Sequence, residues 1–200
     1  MKETLPKLLR EVRACQICAE HLPNEPRPVL VARKTARVLI IGQAPGRKVH
    51  ATGIPWNDPS GNRLREWLAV DRNTFYSHPA IGIVPMGFCY PGTGGSGDLP
   101  PRPECAEQWH QRLLTQMPYL QTILLIGQYA QRYYLDIKKS QTLTQTVQHW
   151  QHFAPKYWPL PHPSPRNQLW LKKNPWFERE VIPKMRESVS EFLHPPQNKR

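Results

Sequence analysis

Val38-Leu39-Ile40-Ile41-Gly42-Gln43-Ala44-Pro45-Gly46 is four branched apolar residues running straight into a tight turn. The apolar run is short and lacks polar alternation, so it reads as a strand buried on both faces, as in parallel sheets. The turn lies at the carboxyl end of that strand. Ligands of open α/β sheets bind in the crevice beyond those ends. Glycines there let the backbone approach a ligand closely and turn its amides outward. A plain strand-to-loop turn is the alternative reading of the same residues.

Working outward, strands are expected over about 36–41, 80–86, 122–127 and 157–160. Helices are expected over about 4–14, 104–116, 128–135, 143–153 and 175–193, and one more starts near residue 58. Asp58 and Ser60 compete as its N-cap, with Pro59 suited to the first helical position, and Leu64, Trp67 and Leu68 form its buried face. Strands alternating with helices predict a three-layer α/β/α sandwich around a central, mainly parallel four-stranded sheet. Residues 1–193 are expected to form a single domain, followed by a flexible basic tail over 194–200. The stretch 42–59 reads as a long polar loop of functional character, and 90–98, rich in glycine, reads as a flexible loop.

Lys and Arg number 27 against 15 Asp and Glu, a formal net charge of +12. A chain this basic suits a polyanionic partner, nucleic acid first. Seven Trp and seven Tyr offer rings for stacking on bases, or for packing a core. No run of 18 apolar residues predicts a membrane span and Met1-Lys2-Glu3-Thr4 has no apolar signal-peptide core, so a cytoplasmic protein is expected. Structural disulfides are rare there. The four cysteines, Cys15, Cys18, Cys89 and Cys105, fall in two groups. Their donor chemistry suits a [4Fe–4S] cluster or one tetrahedral zinc; four unrelated buried thiols are the other reading.

Four features resemble the uracil-DNA glycosylase superfamily, most closely its iron–sulfur family 4 branch. Gly42-Gln43-Ala44-Pro45-Gly46 looks like that branch's Gly-Glu-Ala-Pro-Gly; Gly53-Ile54-Pro55-Trp56 looks like its Gly-x-Pro-Phe; His162-Pro163-Ser164-Pro165 is similar to its His-Pro-Ser motif; and the cysteine spacing matches. The resemblance spans about residues 5–190. It implies a monomeric glycosylase that flips a deaminated base out of DNA and hydrolyses its glycosidic bond, leaving an abasic site. It also implies a structural [4Fe–4S] cluster on Cys15, Cys18, Cys89 and Cys105, which leaves zinc as the alternative. A damage-sensing module with little or no activity is the competing function.

The resemblance implies roles residue by residue. His162 would hydrogen-bond the leaving base, Trp56 would stack on it, and Gly42, Ala44 and the turn amides would line its pocket. Arg166 would be the wedge or a phosphate clamp, with Ser164 and Asn167 beside it; Arg47 and Lys48 would neutralise phosphates. Asn57 is a candidate for the base edge. The sequence also departs from the family pattern. Gln43, Val49 and His50 stand where the branch carries acids, Ala44 and Gly46 stand where family 1 has Asp and Tyr, and Pro85 replaces a base-reading Asn. Gln43, His50 and Asp58 are therefore the candidates to complete the catalytic set. His50 can act as a base or cation stabiliser, or merely touch phosphate; Asp58 can face the sugar or cap its helix.

Overall fold

The computed structural model describes residues 3–95 and 97–193; the expected basic tail lies outside them. Helix α1 (Leu5–Arg13) leads to strand β1 (Val38–Ile41), α2 (Arg47–Thr52), α3 (Pro59–Leu68), α4 (Arg72–Ser77) and strand β2 (Ile81–Ile83). A two-stranded ribbon, β3 (Thr93–Gly94) with β4 (Gly97–Asp98), comes next. Helix α5 (Pro103–Cys105) passes through a π-helical turn (Ala106–His110) into α6 (Gln111–Thr115). Strand β5 (Thr122–Ile126), α7 (Gln128–Tyr134), α8 (Leu143–Gln148), strand β6 (Tyr157–Leu160) and α9 (Gln168–Lys173) follow. The described chain closes with a second π-helical turn (Phe177–Val181) and α10 (Ile182–Leu193).

The four long strands form one sheet in the order β2-β1-β5-β6, every pairing parallel. All four residues of β1 are buried, as the unbroken apolar run demands. Alternate residues serve opposite faces. Val38 and Ile40 join Leu124 and Ile126 in a core shared with α3, α9 and α10. Leu39 and Ile41 join Ile123 and Leu125 in a second core shared with α1, α6 and α7. Helices on both faces give the expected three layers.

Several local expectations change. The stretch 42–59 is not wholly a loop, because α2 lies within it and ends at Gly53, whose left-handed φ of 70° closes the helix. Strand β2 is only three residues long, although Val84 and Met86 beyond it still donate to the Ile40 and Gly42 carbonyls of the β1 segment. Residues 93–98 pair as a ribbon, with Leu99 N–H donating to the Gly92 carbonyl at 2.8 Å. Helices α4 and α9 were not expected from the periodicity of such short segments. Asp58, not Ser60, caps α3: its carboxylate accepts the Gly61 N–H at 2.8 Å.

Candidate active site

A cavity of about 260 Å³ opens beyond the carboxyl ends of the sheet strands. Its floor is the turn Gly42–Gly46, fixed from behind by two strand-like bonds: Met86 N–H to the Gly42 carbonyl and Gly87 N–H to the Gln43 carbonyl, each 2.9 Å. One wall carries Trp56, Asp58 and Ser60; the opposite wall carries His162, Ser164 and Arg166; Pro85 and Asp98 complete the lining. Motifs more than a hundred residues apart in sequence thus meet in one hollow.

Trp56 faces His162, ring centroids 5.5 Å apart and planes inclined 33°. The Trp56 backbone is left-handed, φ 56°, an unfavourable conformation for a bulky residue that its surroundings must impose. They do so through α3 and α4. Arg65, almost fully buried, donates to the Trp56 carbonyl and to Asn62; Tyr76 donates its hydroxyl proton to the Pro55 carbonyl at 2.9 Å. Two glycines leave room for this. A Cβ on Gly61 would lie 1.8 Å from the Trp56 carbonyl oxygen, and one on Gly42 would lie 2.7 Å from Trp56 Cζ2.

His162 is oriented with equal care. The Ser164 N–H donates to its Nδ1 at 3.2 Å, and Asn167 donates to its carbonyl at 2.8 Å. Arg63 reaches from α3 to the Ser164 carbonyl and to Gln168, pinning this segment to the opposite wall. Burial pulls the His162 pKa below the ordinary imidazole value, with the Asp58 carboxylate opposing it. The ring is therefore neutral near pH 7. Because Nδ1 accepts, the single proton sits on Nε2, which becomes a donor.

The structure brings Gly42, Gln43, Ala44, Trp56, Asp58, His162, Ser164 and Arg166 to the cavity. It keeps others off it. Asn57 does not line the hollow; its Oδ1 accepts from Arg72 at 3.1 Å, which turns it away from a base edge. His50 also stands outside, in the last turn of α2. Its ring lies 6.0 Å from that of Tyr90, and its buried Nδ1 has no partner among the described residues. Arg47 and Lys48 are exposed in the first turn of α2. Asn167 acts behind His162 and not on the cavity surface. Asp98 is a lining residue that sequence reasoning passed over, since a single acid in a glycine-rich stretch carries no pattern.

All four cysteines are free, and Cys18, Cys89 and Cys105 are buried. They come from the end of α1, the segment after β2 and α5. Burial is the main cause raising the Cys89 thiol to about 11 and Cys105 to about 12. Cys18 is raised too, first by burial and then by the charge of Cys15, while a hydrogen bond from Cys105 opposes this. The thiols thus sense one another from three separate segments. Among the described residues, however, no three His, Cys, Asp or Glu side chains form a set that could hold a metal ion. Among the same residues, no helix is long and apolar enough to cross a membrane.

Residues 29–186 match the family described as the uracil DNA glycosylase superfamily.

Proposed function

The chain belongs to the uracil DNA glycosylase superfamily, and on that premise we propose that it hydrolyses the N-glycosidic bond of uracil, or of a related deaminated base, in DNA. The observation that carries this reading is the fixed His162 tautomer opposite Trp56. A flipped base entering the cavity meets an aromatic ring and, beside it, a neutral imidazole whose Nε2–H has no acceptor among the described residues. When the C1′–N bond breaks, its electron pair leaves with the base. A donor at a carbonyl of that base stabilises the anion as it forms, and donors of this type are worth about 10²–10³ in rate.

Asp58 contributes negative charge on the same wall as Trp56, where it favours the positive charge that develops on the sugar. One of its oxygens stays on the Gly61 amide, which fixes the direction of the other. Gln43 is tethered through Nε2 to the Leu99 carbonyl at 3.4 Å, leaving its amide oxygen for the base. Arg166 and Ser164 at the rim, with Arg47 and Lys48 on α2, supply contacts for the DNA backbone. Pro85 offers no side-chain hydrogen bond and Gly46 adds no bulk, so the pocket reads a base mainly through backbone groups, Gln43 and His162.

The four thiols are assigned to a [4Fe–4S] cluster of the family 4 kind. Support comes from an all-sulfur donor set, the absence of disulfides among these cysteines and their mutual electrostatic influence. A single tetrahedral zinc is the alternative occupant of the same four donors. The cluster would bind α1 to the segment carrying Cys89 and Cys105; hydrolysis requires no electron from it.

The test is a labelled oligonucleotide carrying one uracil, hypoxanthine or xanthine, single- or double-stranded. Base release by the wild type, lost by 10²-fold or more in His162→Ala, is the expected result. Binding to DNA with no release from any substrate would sink the enzyme reading and leave a damage-binding module.

A further inference from the structure

We propose that Asp98 is a catalytic residue of this site, the carboxylate that takes the proton from the attacking water; the proposal rests on the glycosylase reading above. Hydrolysis needs a group to accept that proton, and the cavity offers few. His162 cannot serve: its Nδ1 already accepts the Ser164 amide proton and its Nε2 carries the ring proton. Two carboxylates line the hollow, Asp58 and Asp98. One oxygen of Asp58 is held by the cap of α3. The Asp98 carboxylate has no hydrogen-bond or ion-pair partner among the described residues, so both its oxygens are available.

Its position suits the step. A flipped base occupies the interior of a pocket while its sugar, still attached to the strand, remains at the opening. C1′ is therefore at the mouth, and water must reach it there. Asp98 is exposed at that mouth and also borders the adjoining crevice with Arg166. Its Oδ2 lies only 3.2 Å from where a Cβ on Gly46 would be, so it reaches from β4 to the turn that ends β1. The β3–β4 register, Thr93 opposite Asp98, and the Gln43–Leu99 bond hold it in place. In the step, the water oxygen bonds to C1′ as the C1′–N bond breaks. The electron pair departs on the base, whose anion accepts a hydrogen bond from His162 Nε2–H, and the water proton passes to Asp98 and afterwards to solvent.

The experiment uses the full-length protein and compares wild type, Asp98→Asn, Asp98→Ala and His162→Ala by single-turnover base release and by DNA affinity. Both Asp98 variants are expected to lose about 10²-fold or more in rate while binding DNA as tightly as wild type, or tighter, because a negative charge has left a DNA-facing rim. Asp98→Ala and Asp98→Asn should lose rate alike, because neither side chain can take the proton. Asp98→Asn is nearly isosteric and exposed, so its thermal melt should match wild type. Should the wild type release no base, the glycosylase reading fails. Should the wild type be active and His162→Ala inactive while Asp98→Asn keeps the wild-type rate, the Asp98 assignment alone falls. It falls as well if rate and affinity drop together, the mark of a ribbon that only positions DNA.

Discussion

His110 gives this protein a stability that acid should remove. It sits in the π-helical turn between α5 and α6, 1% exposed, stacked on Phe88 with 5.7 Å between ring centroids. Its Nε2–H donates to the Pro85 carbonyl at 3.0 Å, and its Nδ1 accepts from the Tyr134 hydroxyl at 2.5 Å. The groups around it are Phe88, Tyr133, Tyr134 and that carbonyl, none of them an anion that would welcome a charged imidazole. Burial accordingly pushes its pKa from 6.5 down to about 4, with the Pro85 carbonyl opposing. A lowered folded-state pKa means that the unfolded chain binds this proton more readily. The stabilisation is thus complete above pH 6.5 and is lost as pH falls towards 4. At 1.36 kcal/mol per pKa unit, the loss reaches about 2 kcal/mol by pH 5 and roughly 3 kcal/mol by pH 4. Denaturant unfolding at several pH values, for wild type and His110→Gln, measures it. Gln cannot titrate, so the difference between the two curves should shrink by these amounts over that interval. Parallel curves would refute the reasoning, as would an NMR titration placing the folded His110 near 6.5.

Other outcomes follow from the site's packing. Gly42→Ala puts a Cβ 2.7 Å from Trp56 Cζ2 and must displace the ring; base release should fall by the order of 10²-fold with DNA affinity retained, measured by the same oligonucleotide assay. Asp58→Ala should cost about 1 kcal/mol of stability for the lost cap, while Asp58→Ser, able to cap, should recover the stability in a thermal melt yet stay slow. Cys18→Ser and Cys105→Ser should lower the iron content of protein purified without oxygen and bleach its visible absorption; unchanged iron would disprove the cluster assignment.

The strands, and with them the layered fold, were legible because burial on two faces leaves an unmistakable run such as Val38–Ile41. Asp58 was legible as a cap because Asp-Pro at a helix start is a local signal. His162 and Trp56 could be singled out by motif, but their meeting at 5.5 Å is a product of α3 and α4 through Arg65, Tyr76 and Arg63, none of which announces that role in sequence. Helix α2 escaped because six residues carry little periodicity; Arg27, donating to the His50 and Ala51 carbonyls, secures its end from a distance. Asn57 and His50 looked suitable by proximity to the motifs along the chain, which says nothing about side-chain direction. Asp98 was hidden for the opposite reason: far in sequence from the motifs that line the cavity, it reaches them only because a short ribbon folds back on the β1 turn.

The strand order also governs what the chain is during its own manufacture. β1 sits in the middle of the sheet, yet one of its neighbours, β5, pairs Thr122 with Val38. Until residues 122–126 have left the ribosome, a nascent chain carries a bare edge of Val38–Ile41, the sort of strand that pairs with strangers. Pairings so distant in sequence close slowly. That edge stays bare until β5 has been made, and a chain stopped before β6 has the Gly42–Gly46 floor of the cavity but no His162 wall to complete it.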